Sequence, residues 1–182
     1  IMGIFDYVSN MGMRHFKTFN ERREYFKQGS NFCQYIACGW NPVIKMNNCL
    51  ICHGGISKKI AEMYSINKIN NIMREKLFNS ETNLQDKVFQ ELFVNENSIL
   101  WNRIYSNNEK DSTKVYDEIK YVLNKYKCKH MIMGHTPYNE GVKIKYNGNV
   151  ICVDTAMSEA FGIKKNKYER IHFVEIIKNK II

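Results

Sequence analysis

Asn48-Cys49-Leu50-Ile51-Cys52-His53-Gly54-Gly55-Ile56 is a short apolar run that stops at a histidine backed by two glycines. An apolar run this short, ended by glycine, reads as a buried strand. A strand ending in this way delivers an imidazole to the rim of a sheet with almost no bulk beside it. The device recurs where Met131-Ile132-Met133 runs into Gly134-His135-Thr136-Pro137. A neutral ring nitrogen is a good metal ligand, and glycine lets a second group approach closely. His53 and His135 therefore read as two corners of one metal site. They lie 135 − 53 = 82 positions apart, so only the fold can bring them together. The glycines serve no packing purpose visible in the sequence, which favours ligands over two structural histidines. His15, His130 and His172 lack glycine neighbours and read as structural.

Outward from His53, residues 42–46 and 49–52 form two strands about an Asn47-Asn48 hairpin turn. Upstream, apolar positions predict a surface helix over about 16–28, stopped by Gly29, and a second helix capped by Ser30 that ends at Cys38-Gly39. Downstream, Ser57 caps a helix with a break near Ser65. Residues 79–112 read as a surface excursion, helical in the middle with an amphipathic core at Leu84, Val88, Phe89, Leu92 and Phe93. Asp111 or Ser112 opens a well-patterned helix through Val115, Ile119, Val122, Leu123 and Tyr126. Strands follow at about 130–134, 142–146 and 150–154, the last two joined by Asn147-Gly148, and a final strand spans about 168–177. No repeat or linker divides the chain, so residues 1–182 make one α+β domain with largely antiparallel local pairing.

The 182 residues are enough for one domain with a real core, and the 44% apolar content excludes wholesale disorder. No apolar run approaches the roughly 20 residues of a membrane-spanning helix, and no secretory leader is expected. Ile1-Met2 is not a natural start, so a fragment or processed product is expected. The net charge of +9 would suit nucleic acid, but the lysines are scattered among Asn, Ile and Tyr rather than gathered into a stripe. No nucleic-acid partner is expected, although a positive field would steer acidic, phosphorylated substrates towards a cleft. Cys33, Cys38, Cys49, Cys52, Cys128 and Cys152 do not have the spacing of a secreted framework. On a strand, Cys49 and Cys52 point to opposite faces, so the pair reads as buried free thiols compatible with a reducing, cytoplasmic compartment. The compartment itself is left open.

Three further residues are candidates. Arg103 follows Leu100-Trp101-Asn102, an apolar anchor that could hold a guanidinium for bidentate phosphate binding. Asp154 ends the apolar run Val150-Ile151-Cys152-Val153. Its carboxylate could ligate metal, orient a ligating imidazole from behind, or simply cap the following turn. Tyr138 lies close enough after His135 to border a cleft.

His53-Gly54-Gly55 and Gly134-His135-Thr136-Pro137 resemble the last two metal-ligand motifs of calcineurin-like metallophosphoesterases, in the phosphoprotein phosphatase branch. The match is closer to Shewanella-like protein phosphatases. Ile1-Met2-Gly3-Ile4-Phe5-Asp6-Tyr7-Val8 is similar to the segment that follows the Gly-Asn-His-Glu motif there. The stretch from Asn41-Pro42-Val43 to Cys52 resembles the strands leading into the His-Gly-Gly loop. Asp154-Thr155-Ala156-Met157-Ser158, with Ala156 where the family usually has glycine, is similar to a stretch near the family's C-terminus, and Val174-Glu175-Ile176 follows as it does there. The resemblance spans essentially the whole chain.

The resemblance implies a metal-dependent phosphoprotein phosphatase that hydrolyses phosphomonoesters through a hydroxide bridging two divalent ions. Manganese, iron or zinc would suit such ligands. His53 and His135 would bind the second ion, and Arg103 would clamp the phosphate of a phosphorylated protein. The implied fold is the C-terminal half of a four-layer αββα sandwich. The family's Asp-x-His, Gly-Asp-x-x-Asp-Arg-Gly and Gly-Asn-His-Glu motifs precede the matching region and are absent here. This stretch alone is therefore expected to be inactive, with exposed sheet edges and apolar surface. Two rivals are a catalytically dead pseudophosphatase that binds phosphorylated partners and a basic nucleic-acid-binding domain. Metal motifs upstream would separate the enzyme from the first rival, and a steep salt dependence of nucleic-acid affinity would favour the second.

Overall fold

The computed structural model describes residues 8, 10–79, 85–107, 112–157, 172–177 and 180–181. In chain order it contains α1 (Phe19–Phe26), α2 (Asn31–Gly39), β1 (Val43–Met46), β2 (Cys49–Cys52), α3 (Lys58–Met63) and α4 (Ile66–Phe78). There follow α5 (Lys87–Phe89), which runs into a wide π turn over Gln90–Val94, α6 (Ile104–Asn107) and α7 (Thr113–Tyr126). Strands β3 (His130–Met133), β4 (Lys143–Lys145), β5 (Val150–Cys152), β6 (Ile176–Ile177) and β7 (Lys180–Ile181) complete it.

The helix starts follow from local chemistry. Ser30, Ser57, Ser65 and Ser112 each accept a hydrogen bond from the backbone N–H three residues on, at 3.2, 3.4, 3.2 and 3.2 Å. Thr18 does the same for α1, so that helix starts at Phe19 rather than at Phe16. The break at Ser65 separates α3 from α4 as the sequence predicts. Asp111, the other candidate cap of α7, lies outside the described residues, as do positions 168–171 of the predicted final strand.

Both asparagine turns form. Asn47, with φ 54°, turns β1 into β2, and Asn147, with φ 53°, lies between β4 and β5. The local pairings are antiparallel as expected, whereas the hairpins are joined to one another by pairings of the other kind. The five-stranded sheet has the order β1-β2-β3-β5-β4, and its two central pairings, β2 with β3 and β3 with β5, are parallel. Only the two outer pairings are antiparallel. Short-range turn signals report hairpins, whereas a parallel pair joined through a helical crossover leaves no local mark.

Alternation along the strands gives the sheet two apolar faces. Val43, Leu50, Cys52, Met131, Met133, Val150 and Cys152 pack on α3, α4 and α7 in the main core. The segment expected to lie over the surface instead supplies that core with Phe89, Leu92, Phe93, Ile99 and Tyr105. Its polar spacing conceals the fact that the wide turn at Gln90–Val94 buries two apolar side chains, Leu92 and Phe93. The opposite face carries one isoleucine on every strand, in register: Ile44, Ile51, Ile132, Ile151 and Ile144. Val174 and Ile176 pack on its centre, burying Ile132 and Ile151, while Ile44 and Ile144 remain 46% and 68% exposed.

All six cysteines are free thiols. Cys52 and Cys49 do point to opposite faces of the sheet. Cys38 departs from the buried pattern, because it sits on the exposed side of α2 near its end.

Candidate functional site

The parallel centre of the sheet positions the candidate site. Cys52 of β2 is paired with Met133 of β3, and Met133 with Cys152 of β5. The next residues, at positions 53, 134 and 153, leave the sheet along the same rim. In open sheets with parallel strands, groups beyond the carboxyl ends converge in this way. Gly134 N–H donates to the His53 carbonyl at 2.8 Å, and Tyr138 N–H to the Asp154 carbonyl at 2.8 Å, tying the three loops together.

His53 and His135 meet at this rim. Nε2 of His53 lies 3.1 Å from Nδ1 of His135, with ring centroids 4.8 Å apart and planes inclined at 55°. His135 adopts φ 70°, a left-handed conformation uncommon for a non-glycine residue. This conformation lets the ring turn back across the rim. The edge-on indole of Trp101, its centroid 5.6 Å from that of His135, borders the ring on another side. Nε2 of His135 is buried and makes no hydrogen bond of ordinary geometry.

Burial is the main influence on both imidazoles and holds each pKa below the usual histidine value. The Arg103 guanidinium pushes both in the same direction, and His53 adds to the effect on His135. The Asp154 carboxylate opposes the shift at both rings, and the Trp101 carbonyl opposes it at His135. Two neutral rings with converging nitrogens can share one proton through a hydrogen bond or share one cation. Metal–nitrogen bonds of about 2.1 Å meeting at roughly 90–109° would hold two nitrogens about 3.0–3.4 Å apart. The observed separation fits that range.

The glycines beside His53 do have a packing purpose. A Cβ on Gly54 would stand 2.9 Å from the Asn102 carbonyl oxygen, 3.0 Å from its nitrogen and 3.0 Å from the Ile99 carbonyl oxygen. Gly54 N–H donates to that Ile99 carbonyl at 2.7 Å. Gly55 has φ 109°, and a Cβ there would press on the Tyr105 ring at 3.0 Å. Gly134 differs, since a Cβ there would meet nothing closer than 3.9 Å. Sequence reasoning could not distinguish these cases, because the segment that Gly54 and Gly55 receive is about fifty residues away.

That segment carries Arg103. Asn102 is fully buried, and its Oδ1 accepts from Ile104 N–H at 2.8 Å, opening α6. The Arg103 side chain is exposed at the start of this helix. Beside it lies a groove of about 440 Å³ lined by Glu96, Asn97, Trp101, Arg103, Ile104 and Asn107. A larger groove of about 930 Å³ lies on the α1–α2 aromatic cluster and contains none of the candidate residues.

Asp154 Oδ1 accepts from Ala156 N–H at 3.1 Å, the geometry of a turn cap, while its charge reaches both imidazoles. Ala156 holds φ 54°, so the turn keeps a left-handed residue without glycine. Tyr138 does not border an open cleft through its hydroxyl, which donates inward to the Ser106 carbonyl at 2.7 Å. His130 is structural as expected, with Nδ1 2.8 Å from the Gly148 carbonyl. Among the described residues, no group of three His, Cys, Asp or Glu side chains is placed to hold a metal. The roles of Ser106, Thr136 and Asn102 were missed from sequence: Thr136 and Asn102 lie in stretches singled out for their neighbours, and no local pattern marks Ser106.

No protein-family model matches the chain. It is similar to an uncharacterized protein, R398, of Acanthamoeba polyphaga mimivirus, with 27% identity over 197 residues, covering 95% of this chain and 76% of that protein. Shewanella-like protein phosphatase 1 of Plasmodium berghei (strain Anka) is 30% identical over 122 residues, covering 64% of this chain and 32% of that protein. Among solved structures, the cold-active protein-tyrosine phosphatase of a psychrophilic Shewanella is 26% identical with a TM-score of 0.54. That match covers 64% of this chain and 34% of the other. Both phosphatases share sequence with this chain, the solved one shares its fold, and the chain spans about a third of the length of each.

Proposed function

We propose that the chain is part of a metal-dependent phosphoprotein phosphatase of the calcineurin-like metallophosphoesterase type, hydrolysing phosphomonoesters of phosphorylated proteins. The observation that carries the proposal is the 3.1 Å approach of His53 Nε2 to His135 Nδ1. Two nitrogens at this spacing fit adjacent positions on one divalent ion. Nε2 of His135, buried on the far side of that ring, leaves Nδ1 as the nitrogen turned towards His53. The fit is partial: these residues supply two ligands, and the rest must come from outside the described residues.

In this reading His53 and His135 hold one of two divalent ions, with manganese, iron or zinc as suitable occupants. When bound, such ions supply electrophilic polarisation of the phosphoryl oxygens. The chain's own groups orient and bind the substrate. Arg103, exposed at the mouth of its groove, offers the planar fork that suits two phosphate oxygens. Asp154 holds its turn and biases both imidazoles electrostatically. The row of isoleucines on the second face, exposed at both ends, supports a larger sandwich in which another layer covers this sheet.

The test is metal binding and turnover in the full-length protein. Calorimetry with manganese, and hydrolysis of p-nitrophenyl phosphate and of phosphotyrosine and phosphoserine peptides, should both be lost on His53→Ala and on His135→Ala. Full metal content and turnover in either variant would refute the assignment.

A further inference from the structure

Arg103 and His135 come from segments 32 residues apart, and α6, which Arg103 precedes, has only four residues. A helix that short has no stability of its own. Something else must fix the Arg103 backbone relative to the His135 loop, and one buried residue connects the two segments. Ser106 is 4% exposed. Its carbonyl accepts from the Tyr138 hydroxyl at 2.7 Å and from Lys145 Nζ at 3.0 Å. Its hydroxyl lies 2.6 Å from that of Thr136, the residue directly after His135. On the other side, Ser106 N–H donates to the Arg103 carbonyl at 3.2 Å, and its hydroxyl lies 3.3 Å from the same oxygen.

We propose that Ser106 is the hub of a positioning cluster, with Thr136, Tyr138 and Lys145, that sets Arg103 against His135. The proposal rests on the phosphatase reading above. Directing both an ammonium and a phenol at one backbone carbonyl is a large commitment for a loop contact, because such donors are costly to withdraw from water. Two of the three partners follow His135 within three residues, so the cluster joins the phosphate-binding arm to the metal-binding loop directly. Gly54 closes the other end of the same segment by receiving Ile99 and Asn102. Arg103 is thus held between two fixed points.

The experiment uses the metal-loaded full-length protein and five variants: Thr136→Val, Tyr138→Phe, Thr136→Ser, Arg103→Ala and Arg103→Ala with Tyr138→Phe. Affinity for inorganic phosphate is measured by calorimetry, and kcat and KM with p-nitrophenyl phosphate. Thr136→Val and Tyr138→Phe should each weaken phosphate binding and raise KM roughly three- to tenfold, the factor expected for one lost hydrogen bond. Metal content should be unchanged and kcat within about twofold. Thr136→Ser, which keeps the hydroxyl, should restore wild-type phosphate affinity. In an Arg103→Ala background, Tyr138→Phe should add nothing further. Unchanged phosphate affinity in both Thr136→Val and Tyr138→Phe, with only a lowered Tm, overturns the cluster's role while Arg103→Ala still weakens binding. If Arg103→Ala itself leaves phosphate affinity unchanged, the phosphate-binding reading falls and this proposal with it.

Discussion

Replacing Gly54 with alanine tests whether the His-Gly-Gly loop is built around close backbone approach. The added methyl would meet three backbone atoms, one at 2.9 Å, closer than real Cβ atoms come, and two at 3.0 Å, tighter than most real Cβ contacts. None of those atoms belongs to a side chain that could swing away. Overpacking of this kind costs roughly 1–3 kcal/mol. The same substitution removes conformational freedom from the unfolded chain, which contributes roughly 0.4–1 kcal/mol in the opposite direction. The clash outweighs the entropy term, and a net loss of about 1–2 kcal/mol is expected. With a urea slope of about 2 kcal/mol per M, the midpoint falls by roughly 0.5–1 M. Gly39→Ala is the control, because a Cβ at that exposed helix end meets nothing within 4 Å and the entropy term stands alone. Its midpoint should stay level or rise. Urea unfolding followed by circular dichroism compares the two variants at equal slope. A Gly54→Ala midpoint equal to or above that of Gly39→Ala would refute the packing argument, and with it the claim that this loop fixes the Ile99–Arg103 segment.

Four other outcomes are expected. His53→Ala and His135→Ala should abolish metal binding in the full-length protein with a Tm within a few degrees of wild type, because His53 is exposed and His135 half-buried; calorimetry and thermal melts read both. Arg103→Ala should weaken inorganic phosphate roughly 10- to 100-fold, the range for charge-assisted hydrogen bonds, while metal content stays constant; loss of metal would contradict it. Both imidazole pKa values are depressed, so the unfolded chain takes up protons first as pH falls. Stability contributed by these rings is therefore complete above about pH 6.5 and is lost as pH drops through the lower folded values, and melts from pH 8 to 5 should follow that direction. Burial pushes the Cys52 thiol up to about 12, whereas Cys38 is exposed, so iodoacetamide at pH 8 should label Cys38 in the native state and spare Cys52. Equal labelling rates would contradict the burial assigned to β2.

The exposed ends of the isoleucine row have a consequence for handling this stretch of chain. Ile44 and Ile144 sit on the two outermost strands, β1 and β4, each of which pairs with one neighbouring strand among the described residues. The β1 edge is partly managed: Asn70 of α4 accepts from Val43 N–H at 3.2 Å and donates to its carbonyl at 2.9 Å. The β4 edge carries Lys143 and Lys145, a common device against strand addition. These devices protect the edges but leave the face.

The elements of this protein were legible in its sequence because their causes are local. The caps at Ser30 and Ser57, the Asn47-Asn48 and Asn147-Gly148 turns and the run of apolar residues into His53 act within a few positions, and each formed where expected. The two histidines could be chosen from their neighbours alone. Their convergence could not, since it depends on β2 and β3 being parallel and in register, a pairing 81 positions apart that no turn signal records. The same holds for Gly54 and Ser106, whose roles are set by groups from distant segments, backbone for the glycine and side chains for the serine. Their packing partners exist only once the chain has folded, so tertiary structure alone decided that one glycine is required for space, and that a serine without any motif connects the two halves of the site.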